Sequence, residues 1–308
     1  MYFQRRQPFM KVSDCLSRCV LGTAGLGGVW GKIDPEESIK AILMALKDGI
    51  TCIDSAPAYG DAESFLGVAL NQWEGQKPQI STKVGRLKSY DASEGLYDYS
   101  NDGMEKSVES SLKTLGIPCI NILFLHDPAA IPEKNAARIL EKLVQFKKGG
   151  YTKKIGLGGN SPDWFKKYIT GDVFDVVMEY NRLNACCTDA LYSSLPDCKS
   201  KGIDFYVASP LHMGLMGNRF EEYTSLPPEW LKKSNIERAE QVNRIADKYQ
   251  MSLSSVAHRY LLSIPENFKI VIGPKYPRQL QQTVFDLRQG PLPKKIFEEI
   301  KKLKNHVD

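Results

Sequence analysis

Three ionisable residues each close a short apolar run in this 308-residue chain. Asp54 ends Ile50-Thr-Cys-Ile53, Lys83 ends Gln79-Ile-Ser-Thr82, and His126 ends Asn121-Ile-Leu-Phe-Leu125. Tyr59 follows the first run, within Asp54-Ser-Ala-Pro-Ala-Tyr59-Gly60. A carboxylate, an ammonium, an imidazole and a phenol at one point suit proton transfer to or from a carbonyl or alcohol oxygen. A phenol ionises near ~10, too high for efficient exchange at neutral pH. Lowering that value by ~2–3 units takes roughly 3–4 kcal/mol, which one close cation in a poorly solvated pocket supplies. Lys83 is the expected cation, Asp54 its anchor, and His126 the donor to the substrate oxygen. The set holds no nucleophile, so the hydride that must move to or from carbon has to travel on a cofactor. Taken singly, each residue reads as structural: a loop Tyr, a capping Asp, an exposed Lys, a core His.

The elements that would gather them are short β-rich runs alternating with amphipathic segments. Strands are expected near Arg18–Leu21, Thr51–Asp54, Gln79–Lys83, Asn121–His126, Lys154–Leu157, Val173–Glu179, Asp204–Ala208 and Lys269–Ile272. A helix over Glu36–Lys47 puts Ile39, Leu43 and Leu46 on one face, with Pro35 in its first turn and Asp34 as its cap. A second over Asp102–Leu115 does the same with Val108, Leu112 and Leu115, and Lys294–Lys304 reads as a final helix. Gly49, Gly116 and Gly149-Gly150 follow helix ends, where a left-handed stop is expected. Eight βα units imply closure, so the expected fold is α/β, a (β/α)8 TIM barrel, with 1–308 as one domain. In such a barrel all C-terminal strand ends share one rim, where reactive groups collect. Two connections are long: Val84–Asn101, carrying Tyr90, Tyr97 and Tyr99, and Leu211–Lys233.

Bulk properties narrow the partners. The formal net charge is +5, with basic and acidic residues intermixed, which reads as a solvated surface and not a nucleic-acid face. Seven cysteines with no Cys-x-x-Cys pair read as buried free thiols in a reducing compartment. Four histidines without ligand spacing predict no metal. Met1 to Arg18 lacks the apolar core of a secretory signal, and no run is long enough for a membrane span. The expectation is a cytoplasmic protein, a monomer or weak homo-oligomer acting on a small molecule.

These motifs together resemble the aldo-keto reductase superfamily over nearly the whole chain. The resemblance rests on Leu21-Gly-Thr-Ala24, Asp54 to Gly60 with Glu63 and Leu66-Gly67, Ser81-Thr-Lys83-Val, Ile122-Leu-Phe-Leu-His126, Ile155-Gly-Leu-Gly158, Ala208-Ser-Pro-Leu211 and Val271-Ile-Gly273-Pro. It implies a catalytic tetrad of Asp54, Tyr59, Lys83 and His126, and NAD or NADP bound in an extended pose without a Rossmann fold. It places cofactor contacts at Gly22, Thr23, Asp54, Ser209, Leu211, Gly214, Gly273, Lys275, Arg278, Gln279 and Gln282. Lys275 and Arg278 either pair with a 2′-phosphate or are exposed helix-start charges, so NAD versus NADP stays open. The chain departs from the family where the nicotinamide carboxamide is usually held: Gly158 and Gly159, then Asn160, stand there. Ala208 replaces the stacking aromatic.

Ser209 to Met216, Pro227-Pro-Glu-Trp230 and Tyr180-Asn-Arg182 are most similar to the sugar 1-dehydrogenase branch. That branch oxidises the anomeric carbon of an aldose to a lactone. Substrate contacts would then include Tyr59 and His126, with Trp30 and Trp230 either offering flat apolar faces to a sugar ring or serving as packing residues. The alternatives are a general NADPH-dependent aldehyde or ketone reductase and a cofactor-sensing regulatory subunit with little turnover.

Overall fold

The computed structural model describes residues 12–303. Among them, eight parallel strands close into a barrel in chain order. They are β1 (Cys19–Gly22), β2 (Cys52–Asp54), β3 (Gln79–Val84), β4 (Ile120–His126), β5 (Thr152–Gly158), β6 (Val176–Tyr180), β7 (Asp204–Ala208) and β8 (Lys269–Ile272). Helices lie between them, so the expected (β/α)8 architecture is the one observed. The stretch read for a leader lies mostly in residues 1–11, outside the described residues, as does Lys304 of the expected last helix, which spans Lys294–Lys301.

Alternation along each strand sorts the core into two bodies. Outward residues such as Leu21, Ile53, Leu123, Leu125, Val177 and Ile270 join the helices in one large apolar layer. Inward residues Val20, Cys52, Ile122, Phe124, Val176, Met178, Tyr206 and Val271 form a separate plug inside the barrel. Phe124 fills much of the interior because its strand partner is Gly156, where a Cβ would overlap the Phe124 ring.

Most local expectations hold, and the departures have simple causes. The Asp34 carboxylate accepts from Glu36 N, capping helix Pro35–Lys47. That helix buries Ser38, Ala41, Ile42, Ala45 and Leu46, leaving Ile39 and Leu43 at the edge of the contact. The buried stripe is thus rotated toward the small residues Ser38, Ala41 and Ala45. Gly116 ends helix Asn101–Leu115 at φ 65, as expected. After helix Ala136–Lys148, however, Gly149 stays right-handed at φ −78 and Gly150 takes the left-handed turn at φ 80. Strand β6 begins three residues later than expected, because the Val173 and Phe174 amides are spent on a turn to Thr170 O. The seven cysteines form no disulfide among the described residues, and all are buried except Cys119.

Candidate active site

The barrel register explains how distant residues reach one point. Asp54 pairs with Ser81 across β2 and β3, and Lys83 lies two residues further along the same face. Lys83 pairs with Phe124 across β3 and β4, and His126 lies two residues beyond that. The inward row therefore climbs by two residues as it crosses to the next strand pair. Asp54, Lys83 and His126 form its top layer, directly above the apolar plug.

Contacts in that layer are short. Lys83 Nζ donates to Asp54 Oδ2 at 2.5 Å and to the Ser55 carbonyl at 2.8 Å. Ser81 Oγ donates to Asp54 Oδ1 at 2.7 Å. The ammonium sits 4.8 Å from the centre of the Tyr59 ring and 5.6 Å from that of Phe124. The Tyr59 and His126 rings meet edge to face, 5.8 Å apart at 89°. All four members of the expected tetrad thus converge.

Their charge states follow from burial opposed by neighbours. Burial would lower the Lys83 value, but Asp54 and Tyr59 more than offset it and hold the ammonium above its ordinary range. His126 is held well below the usual imidazole value by burial, with Lys83 and Arg86 adding to the effect. It is a neutral ring, and its Nδ1 is buried without a hydrogen-bond partner among the described residues. The phenol departs from expectation. Lys83 lowers the Tyr59 value as foreseen, yet burial outweighs it and Asp54 opposes it, so Tyr59 rests above the ordinary phenol value. A protonated phenol, a charged amine and a neutral imidazole therefore face the mouth at neutral pH.

Tyr59 is placed by its loop, not by a strand. Gly60 N donates to Ser89 O at 3.1 Å and Asp61 N to Gly27 O at 3.0 Å. Gly60 is left-handed at φ 56, and a Cβ there would overlap the Gly27 carbonyl. A Cβ on Gly27 would in turn overlap the Tyr59 carbonyl. Two glycines let the β1 and β2 loops lie flush and hold the phenol over Lys83.

The expected cofactor residues separate into two groups. Gly22 and Thr23 are buried; the Thr23 hydroxyl lies 3.0 Å from both the Asp54 carbonyl and Ser55 Oγ, bracing the strand end instead of facing the mouth. Asp54 ends β2 and is buried, its carboxylate held by Ser81 and Lys83. The remaining eight follow β7 and β8. Ser209, His212, Met213 and Gly214 all have positive φ, a run of strained backbone of the kind found at ligand sites. Buried His212 holds this loop: Asn184 Nδ2 lies 3.0 Å from His212 Nδ1 and 3.4 Å from the Ser209 carbonyl. Gly273 is exposed just past the end of β8, and a Cβ there would meet nothing within 4 Å among the described residues. Lys275 Nζ donates to the Trp30 carbonyl, Gln279 accepts from Lys275 N, and Gln282 donates to Asp286, while Arg278 is exposed. Asn160 bonds both the carbonyl and the amide of Tyr180, leaving one N–H and one lone pair of its amide unengaged. Trp230 is half exposed and packs on His212 and Tyr223, while Trp30 lies exposed above the β1 loop.

Two residues missed in the sequence stand beside the site. Arg86 forms an ion pair with Asp127 at 3.1 Å, and buried Tyr99 donates to the carbonyls of His126 and Asp127. Their signals were Asp127 directly after His126 and Arg86 three residues past Lys83. Neither carries a spacing that distinguishes it from a surface charge.

Comparison with known proteins agrees with the geometry. The pattern of the Aldo/keto reductase family matches residues 18–305. The chain is 28% identical to an NADH-specific methylglyoxal reductase of Escherichia coli over 304 residues, covering 91% of this chain and 92% of that protein. It is 27% identical to an L-galactose dehydrogenase of Arabidopsis thaliana, covering 85% and 82% respectively. A solved glycerol dehydrogenase of Gluconobacter oxydans shares the fold with a TM-score of 0.72 at 24% identity, covering 92% of this chain and 90% of that one. An eight-stranded barrel, a strand-end row that gathers carboxylate, amine, phenol and imidazole, and a family pattern spanning nearly the whole chain agree: this protein belongs to the aldo/keto reductase family.

Proposed function

We propose that this oxidoreductase oxidises the anomeric carbon of an aldose to a lactone, with NAD or NADP as hydride acceptor. The observation that carries the reading is the buried Asp54–Lys83 pair beneath the Tyr59 ring, with the His126 ring edge-on to it. Tyr59 exchanges the proton of the reacting oxygen. Lys83 stabilises the phenolate that forms when the proton leaves, and Asp54 fixes the ammonium. His126, neutral, donates a hydrogen bond that orients the oxygen. The bound nicotinamide supplies or accepts the hydride. Ser209, Leu211, Gly214 and Gly273 would line the dinucleotide, with Lys275, Arg278, Gln279 and Gln282 toward its adenosine half.

The aldose assignment draws support from relatives named L-galactose dehydrogenase, D-threo-aldose 1-dehydrogenase and D-arabinose 1-dehydrogenase. A second reading, a general aldehyde reductase, is favoured by the relative named methylglyoxal reductase. It is also favoured by the resting proton on Tyr59, which suits reduction. A panel of L-galactose, L-fucose and D-arabinose with both NAD+ and NADP+, set against aromatic aldehydes with NADH and NADPH, separates the two. Oxidation of at least one sugar with a higher kcat/KM than any simple aldehyde supports the aldose reading; the reverse order removes it.

A further inference from the structure

The rim beside His126 carries a polar assembly that the proton-transfer chemistry does not use. Asp127 sits at φ 50, in the left-handed region, immediately after His126. Its Oδ2 accepts from Arg86 Nη1 at 3.1 Å and from the Tyr97 hydroxyl at 3.2 Å. Arg86 Nη2 is held by the carbonyls of Ala92 and Glu94, and Arg86 Nε is buried without a partner among the described residues. The single Tyr99 hydroxyl reaches the His126 carbonyl at 2.7 Å and the Asp127 carbonyl at 3.1 Å. Tyr180, half exposed across the mouth, feels the charges of both Asp127 and Arg86, and the Asp127 charge reaches Tyr59. A strained backbone, two braces and a partly exposed ion pair converge one residue from the oxygen-orienting imidazole.

We infer that Asp127, braced by Arg86 and Tyr97, is the specificity-determining residue that recognises the hydroxyl groups next to the reacting carbon. The ligand class is a neutral polyhydroxylated aldehyde or aldose. Oδ1 carries no protein hydrogen bond among the described residues, which leaves a charged acceptor for one or two hydroxyls. An anionic substrate is disfavoured, because the guanidinium is already neutralised by Asp127 and two of its nitrogens are engaged. An unsubstituted aldehyde leaves Oδ1 without a donor once substrate displaces water from it, which costs binding. This assignment rests on the oxidoreductase reading above but not on lactone formation.

Reduction of glyceraldehyde and of propanal, which differ only in two hydroxyls, tests it with the intact protein. Wild type should prefer glyceraldehyde in kcat/KM by at least about tenfold, the value of one hydrogen bond to a charged group. Asp127→Gly tolerates φ 50 and removes the carboxylate; it should bring the two kcat/KM values to within about threefold by lowering that of glyceraldehyde more than that of propanal. Tyr97→Phe, which removes one brace and little else, should reduce the preference by a smaller factor in the same direction. Equal losses on both aldehydes in both variants, or no preference in wild type, overturn the inference. If wild type reduces neither aldehyde and oxidises no sugar, the oxidoreductase reading fails and the inference with it. If sugars are not oxidised but the preference and its loss are seen, only lactone formation is removed.

Discussion

Lys83 and Asp54 form a 2.5 Å ion pair whose side chains are only 2% and 3% exposed, in the layer directly above the apolar plug. A buried pair of this kind adds little net stability over apolar residues of the same shape, but leaving one partner alone is expensive. Its placement under the Tyr59 ring accounts for its presence in chemical terms.

The first prediction concerns that pair. Lys83→Met leaves Asp54 buried without its cation and should destabilise the protein by about 3–5 kcal/mol. Adding Asp54→Asn should recover part of the loss while activity stays absent. Urea unfolding of the two single variants and the double variant measures the coupling; additive losses would show that the two side chains do not interact.

Tyr59→Phe should keep cofactor binding, followed by nicotinamide fluorescence, and lower turnover by roughly 10²–10⁴-fold. Because burial holds the phenol above its ordinary value, wild-type oxidation should rise with pH through the alkaline range and reduction should fall. A flat profile in both directions would exclude Tyr59 as the proton carrier.

Acid sensitivity should trace to the loop after β7. His212 is 2% exposed, and burial drops its value from 6.5 to about 4. Asn184 Oδ1 accepts from the Cys186 and Cys187 amides, so its Nδ2 donates to His212 Nδ1 and the ring must be neutral. The unfolded imidazole binds its proton near 6.5 and the folded one only near about 4, so the unfolded state holds more protons between them. Stability is therefore complete above 6.5 and falls as pH drops toward about 4, by on the order of 3 kcal/mol. His126, also depressed by burial, acts in the same direction. His212→Asn accommodates the left-handed backbone at φ 47 and should flatten this dependence. Urea midpoints at about pH 7.5 and about pH 5 decide it, since equal acid losses in both proteins would remove His212 from the account.

Two glycine substitutions separate packing from ligand access. Gly27→Ala drives a Cβ into the Tyr59 carbonyl and should cost about 1–3 kcal/mol together with much of the activity. Gly273→Ala meets nothing within 4 Å, so the urea midpoint should not move while cofactor binding weakens. Unchanged cofactor affinity in Gly273→Ala would place the dinucleotide elsewhere on the rim.

The sequence by itself determined the barrel, because strand and helix periodicities are local: all eight strands fall where apolar runs end in Asp54, Lys83, His126 and their counterparts. It also identified the four groups at the mouth, since their types and strand-end positions narrow the chemistry. Only the tertiary structure decided how those groups are charged, because burial of Tyr59 and its distance from Lys83 are properties of packing across strands. The same holds for Thr23 and Asn160, whose polar atoms bond neighbours 20 residues or more away in sequence. Asp127 and Arg86 were illegible for that reason: two isolated charges 41 residues apart acquire meaning only when the closing sheet sets their strand ends side by side.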